Sequence, residues 1–277
     1  MFRHAMIAVD LASEVPLLEC APDLARWGVE EVTLVHLLKV GYAEGPGHGE
    51  EARRREALGA RAAPLVARGM RVNVDVGTAG DVGGALAERA EQVDLLVVGN
   101  RSHNVLERLF LGSVARKALR RARVPVLVHW IALVDGEARC CVLGCADTLR
   151  PVLAATDLRA SARPVHDVAV ALAARAARVD VVHVSTAHDE DRFADWPVMA
   201  RAALADVERR IAEAGGTGEG VLERGEPDER VLEGARARDA SLLIVGKVGR
   251  SRDARMGRTA RALSKQACRP VLMVPNR

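Results

Sequence analysis

A chain of 277 residues has room for one large hydrophobic core or two of ordinary size. With 49% hydrophobic residues, 28% charged residues and a net charge of only +3, it reads as a globular protein. The longest apolar run, around VLVHWIALV, is far short of the roughly 18 residues a membrane span requires, and no Lys/Arg tract interleaved with aromatics points to nucleic acid.

Aromatics make up 3% of the chain, so the core must be built from Val, Leu, Ile and Ala. Such a core favours buried parallel strands covered by Ala-rich helices. In chain order, short continuous apolar runs predict strands near Ala5–Val9, Glu31–Leu37, Met70–Val76, Leu95–Val98 and Pro125–His129. Amphipathic patterns between them predict helices near Val15–Trp27, Glu50–Arg68, Asp81–Glu91 and Ser113–Arg121. A second series of strands follows near Pro151–Thr156, Asp180–Val184, Gly220–Leu222, Leu242–Val245 and Val271–Val274. Strands that alternate with helices imply right-handed βαβ crossovers and a doubly wound parallel sheet.

The second series repeats the first. HAMIAVD has a counterpart in RPVLAATD, VTLVHLL in DVVHVS, VDLLVVGNRS in ASLLIVGKVG, and GSVARKALRRARVPVLVHW in GRTARALSKQACRPVLMVP. The chain is therefore a tandem duplication, expected as two Rossmann-like α/β domains. Each has a five-stranded parallel sheet with helices on both faces. The first domain is placed at residues 1–132, a linker at 133–149 and the second domain at 150–277. The loops GYAEGPGHGE and STAHDEDRFADWP follow the second strand of each unit, at the sheet end where such folds bind ligands.

After LLVVG the chain must leave a strand and enter a helix. Gly99 is expected to relieve the turn, and Gly112 to let backbone approach a bound group. Ser113 and Val114 would then offer first-turn N–H groups and a hydroxyl to an anion. Arg116, Lys117, Arg120 and Arg121 would add a positive field. A Ser at a helix start is equally common in an ordinary βα loop, so both readings stand at this point. Asp10 ends the first strand at the same sheet edge, where a carboxylate accepts hydrogen bonds from a ribose or an adenine amine, or caps the next helix. Asp157 repeats it.

These residues together resemble the universal stress protein family. The likeness rests on the strand ends AVD and ATD, on VTLVHLL and DVVHVS, and on a loop that opens with VVG and closes on GS. It covers nearly all of the chain outside the linker. The resemblance implies an adenine-nucleotide alpha hydrolase-like fold and ATP, AMP or ADP as ligand, with Mg2+ as companion ion. The family's ATP-binding loop is Gly, two residues, Gly, nine residues, Gly, then Ser or Thr. Gly99, Gly112 and Ser113 match it in the first unit, and Ser102 stands where the second glycine belongs. The implied site is Asp10, backbone near Leu37, Gly99, Ser102, Gly112, Ser113 and Val114. The second unit keeps Asp157, Gly246, Gly249 and Gly257, but with seven residues between the last two glycines, Arg258 in the Ser position and Thr259 one place late. A triphosphate would be crowded there. Arg250, Arg252, Arg255 and Arg258 would take another anion or pair with an acidic segment.

The apolar stretch before Asp10 is too short for a signal peptide. Five cysteines without a scaffold spacing suggest a reducing, cytoplasmic setting. Cys140, Cys141 and Cys145 cluster in the linker, but lack the paired spacing of a zinc site and stand only as weak metal candidates. Cys20 and Cys268 read as small buried hydrophobes in helices. His36 and His183, at mirrored strand positions with apolar neighbours, read as satisfied core histidines. No Ser-His-Asp arrangement, paired-carboxylate site or Walker-type Gly-Lys-Ser/Thr occurs.

The leading expectation is a regulator that binds ATP in the first unit and hydrolyses it slowly at most. The rival readings are an interaction protein with degenerate loops and an enzyme acting on an adenylate. The resemblance also implies that the two units pair through their last strands as an intramolecular pseudo-dimer. A homodimer and unidentified protein partners are the further associations open to it, with no membrane partner.

Overall fold

In a computed structural model of the chain, the residues described are 1–11, 16–39, 49–101, 112–134, 137–140, 147–192, 195–248 and 256–276. The chain divides into two compact units, Met1–Ala146 and Asp147–Arg277.

The first unit contains strands β1 (His4–Ala8), β2 (Glu31–Lys39), β3 (Arg71–Ala79), β4 (Leu95–Arg101), β5 (Val126–Val134) and β6 (Glu137–Cys140). The first five are parallel in the order β3-β2-β1-β4-β5. Covered on both faces, they can be apolar throughout, and Ala5, Ile7, Val32, Leu34, Leu95, Leu96 and Leu127 are all fully buried. The sixth strand lies in the stretch expected to be linker and pairs antiparallel with β5, Ile131 opposite Cys140.

Two expected helices break, both at proline. Helix α1 (Pro16–Cys20) gives way to a 3-10 turn over Ala21–Trp27, where Pro22 has no N–H to continue the α ladder. The next pattern splits into α2 (Glu50–Ala60) and α3 (Ala63–Val66), with Pro64 at the start of the second piece. Helices α4 (Val82–Arg89) and α5 (Ser113–Arg121) pack against each other. A Cβ on Gly83 would stand 2.8 Å from the Val114 carbonyl and 2.7 Å from Lys117 Cβ, so only glycine permits this approach.

The second unit repeats the plan. Strands β7 (Pro151–Thr156), β8 (Arg178–Ser185), β9 (Gly220–Arg224), β10 (Leu242–Gly246) and β11 (Val271–Val274) are parallel in the order β9-β8-β7-β10-β11. Its helices are α6 (Arg163–Ala173), α7 (Ala187–Arg192), α8 (Trp196–Glu213), α9 (Pro227–Ala237) and α10 (Arg258–Gln266). Helices α5 and α10 bury the same stripe, Ala115, Ala118 and Leu119 in one and Ala260, Leu263 and Ser264 in the other. Among the described residues no helix is long and apolar enough to cross a membrane.

Candidate functional site

In each unit the order of strands reverses direction between the first strand and its neighbour, β1 beside β4 and β7 beside β10. Ligands of open α/β sheets bind in the crevice beyond the carboxyl ends of strands at such a point. In the first unit β1 pairs with β4 as far as Ile7↔Val97. Asp10 follows closely on one strand, exposed, and Gly99 on the other. The last bond from β1 to β2 runs from the Val9 N–H to the Val35 carbonyl, 2.8 Å. Strand β2 continues to Lys39, so Leu37 stands beyond the end of β1, paired with Gly77 of β3 and buried.

Gly99 does not make the turn. It lies inside β4, opposite His129 of β5, and the strand runs on to Arg101. Its missing side chain leaves room for Ile131, whose Cδ1 would be 2.5 Å from a Cβ there. Ser102 lies outside the described residues.

Gly112 caps α5 with φ −53° and ψ 147°, a conformation open to any residue. Among the described residues nothing lies within 4 Å of a Cβ built on it. Neither backbone strain nor crowding by these neighbours requires a glycine. Among the described residues no side chain caps α5, and Gly112, Ser113 and Val114, at the positive end of this nine-residue helix, are all exposed.

The expected positive field is smaller than the sequence suggests. Lys117 and Arg121 both pair with Asp81, at 2.9 and 2.8 Å. Asp81 also accepts the Gly84 N–H as the cap of α4. The bond from Lys117, then that from Gly84, holds its carboxyl below the ordinary carboxylate range. Arg116 and Arg120 remain exposed.

Asn100 escaped the sequence reading. It is fully buried at the end of β4, and its Oδ1 accepts the Gly112 N–H at 3.3 Å, closing the loop from both ends. The one available signal was a polar residue following an apolar strand. In the second unit the same closure is made by backbone, the Gly257 N–H donating to the Lys247 carbonyl at 2.8 Å.

The second-unit crevice has its own set of partners. Asp157 accepts the Arg159 N–H and so serves its own turn. Arg258, at the start of α10, pairs with Glu226 and Asp228 beside the start of α9, an acidic segment as expected. Thr259 lies in the first turn of α10, which starts from Gly257 with no side-chain cap, and Gly246 ends β10. Gly249, Arg250, Arg252 and Arg255 lie outside the described residues. Helix α7 follows closely on β8, its start fixed by Asp189 accepting the Thr186 N–H and hydroxyl. Glu190 takes hydrogen bonds from Ser185 and Arg224.

Two buried ionisable groups sit at these sheet ends. Burial pulls the His129 imidazole down to about 4, and the Lys247 ammonium down to about 8. His36 and His183 are buried, and each Nδ1 bonds a strand-end carbonyl.

The cysteines depart from expectation. Cys20 is buried but disulfide-bonded, which five cysteines without a scaffold spacing gave no means of pairing. Cys268 is not helical: it follows α10, exposed, at φ 47°. The side chain of Cys140, and the whole of Cys141 and Cys145, lie outside the described residues. Among those described no three His, Cys, Asp or Glu side chains gather to hold a metal ion.

Compared with known families, the sequence matches the universal stress protein family twice, over residues 1–129 and 148–275. The chain belongs to the universal stress protein family. A universal stress protein from Archaeoglobus fulgidus is similar in structure, with TM-score 0.74 and 21% identity over 98% of this chain and 96% of that one. A functionally unknown protein from Pseudomonas aeruginosa PAO1 has TM-score 0.70 and 20% identity over 99% and 93% of the two chains. A putative universal stress protein from P. aeruginosa UCBPP-PA14 has TM-score 0.69 and 21% identity over 99% and 94%. These likenesses speak to the fold of the whole tandem chain. No curated protein matches the sequence.

Proposed function

We propose that this universal stress protein is a regulator that binds an adenine nucleotide, ATP before ADP or AMP, in the crevice of its first unit. The observation that carries the reading is Gly112. A glycine that neither backbone conformation nor described neighbours require heads an uncapped, exposed helix start beside the sheet's reversal point. A bound phosphate supplies the missing reason. Asp10 would hold the ribose or adenine, and backbone near Leu37 would line the base. Gly99, Ser102, Gly112, Ser113 and Val114 would form the phosphate loop, with Mg2+ as the companion ion of the nucleotide. Binding would act by conformation or choice of partner, with hydrolysis slow at most and the stress response as its setting in the cytoplasm.

The domains are taken as 1–132 and 150–277. For the second we favour an interface role, because Asp157 and Arg258 already have partners within the fold. The two domains are proposed to pair through their last strands as a pseudo-dimer, which cross-linking across residues 126–134 and 271–274 tests.

The central test is the small-molecule content of protein purified without added nucleotide, read by mass spectrometry, followed by titration with ATP. Retention of ATP or AMP, lost in Asp10→Ala and Gly112→Val, is the expected result. No co-purified nucleotide and no affinity up to millimolar ATP would overturn the reading.

A further inference from the structure

Both units carry a device at the strand end that the nucleotide reading leaves unused. His36 Nδ1 lies 2.9 Å from the Val9 carbonyl, and His183 Nδ1 lies 3.0 Å from the Thr156 carbonyl. Each histidine follows its partner by 27 residues, and the residue after each carbonyl is the strand-end aspartate, Asp10 or Asp157. A carbonyl only accepts, so Nδ1 carries the hydrogen and Nε2 of the neutral ring is left as an acceptor.

The units part at that acceptor. In the first, Arg54 of α2 brings Nη1 to 2.9 Å from His36 Nε2. A guanidinium only donates, so the ring is held in one tautomer from both sides. Arg54 is itself fixed by Glu50 Oε1, 2.6 Å from Nη2 and 3.1 Å from Nε. In the second unit His183 instead meets the ring of Trp196, edge-on at 5.6 Å. The histidine–carbonyl bond is thus common to both units, and in the first it extends through Arg54 to Glu50.

We infer that His36 and Arg54 are positioning residues for the first-unit site. They fix the Val9–Asp10 peptide just where β1 has made its last bond to β2, and so set the direction in which Asp10 meets a nucleoside. Through Glu50 they tie that setting to the first turns of α2. The inference rests on the reading that the first unit binds an adenine nucleotide, and deepens it.

Titration of the full chain with ATP tests it in His36→Asn, His36→Leu, Arg54→Lys, Arg54→Met and His183→Leu. The Asn side-chain N–H2 takes the place of Nδ1–H but offers Arg54 no acceptor, so His36→Asn is expected to cost about tenfold, like Arg54→Met, while His36→Leu, which loses both bonds, weakens binding about 30-fold. Arg54→Met is expected to cost about tenfold, and Arg54→Lys, which still donates, to recover most of it. His183→Leu should leave ATP affinity unchanged. A purely structural role would move thermal stability in His36→Leu and His183→Leu alike and would not separate Asn from Leu. Equal affinities across the series, or equal loss in His36→Asn and His36→Leu, overturns the inference.

A readout without ligand separates this from the nucleotide reading. The nitrogen NMR spectrum of the His36 ring should show the Nδ1–H tautomer in the parent, with the Nε2 resonance shifted in Arg54→Met by loss of its donor and the Asp10 amide resonance displaced with it. An Nε2–H ring, or an undisplaced Asp10 amide, overturns the positioning role whether or not ATP binds. If the parent chain binds no ATP while the ring and amide behave as expected, it is the nucleotide reading that fails.

Discussion

The two units share one sheet order and one helix stripe, yet their crevices are finished differently. In the first, a side chain closes the loop, with Asn100 holding Gly112, and among the described residues no side chain caps the exposed start of α5. In the second, backbone closes the loop and side chains are consumed internally, with Gly257 on Lys247, Asp157 on Arg159 and Arg258 on Glu226. A duplicated fold can therefore keep its core while the polar groups at the ends of its strands are arranged differently in the two copies. The two crevices differ in how the loop between strand and helix is closed and in the charge at the helix start.

The largest expected effect comes from burying different ionisable groups at this end of the two sheets. The first unit has His129 where the repeat places Val274 in the second, and the second has Lys247 in place of Asn100. With His129 drawn down to about 4 from 6.5, the unfolded chain binds more protons than the folded one between those values. Stability should therefore rise with pH across that window, by roughly 3 kcal/mol in all. Denaturant melts of the parent and His129→Phe from pH 4 to 7 check it, the variant losing that part of the slope. A parent slope equal to that of the variant would remove His129 from the comparison.

Close behind is Gly112→Val against Gly257→Val. The first should weaken ATP binding about 100-fold, near 2.7 kcal/mol, because a branched side chain fills the open space before α5. The fold should tolerate it, since the φ of −53° suits any residue. Gly257→Val should leave ATP affinity unchanged. Calorimetric titration of both variants decides, and equal losses would mean that the units are not functionally distinct.

A further effect of the same sign lies at the alkaline end of the pH axis. Lys247, drawn down to about 8 from 10.5, keeps fewer protons in the folded chain than in the unfolded one between those values. Stability should rise as pH increases through that window, and Lys247→Met should flatten the rise. Thermal melts from pH 7.5 to 10.5 measure it.

Much of this architecture is legible in the residues themselves. Apolar runs such as LLVVG and LLIVG mark buried parallel strands because both faces are covered, and the tandem repeat doubles every such signal. The prolines at 22 and 64 were visible too, but helical periodicity on either side outweighed them until the structure showed the breaks. What could not be read were pairings set by tertiary approach. Asp81 faces Lys117 and Arg121 only because Gly83 lets α4 and α5 touch. Arg54 reaches His36 only because α2 folds back over β2. Cys20 finds a sulfur partner that no spacing announces. Gly99 misled in the other direction, since a glycine after an apolar run looks like a turn and is here strand.

The smallest expected effect is the most discriminating. Arg258→Ser would restore a Gly-Ser pair at the start of α10, as at Gly112-Ser113. If the residue at that place alone made the site, the second unit should then bind ATP. It should not. The Gly257 N–H is already given to the Lys247 carbonyl, a backbone bond that the Arg258→Ser change leaves in place. Removing the guanidinium also leaves Glu226 and Asp228 without this counter-charge beside the helix start, where they repel a phosphate. Titration of Arg258→Ser in an Asp10→Ala background, which silences the first unit, should show no ATP binding. Recovered affinity would mean that a single side chain, and not the state of the surrounding polar atoms, divides the two units.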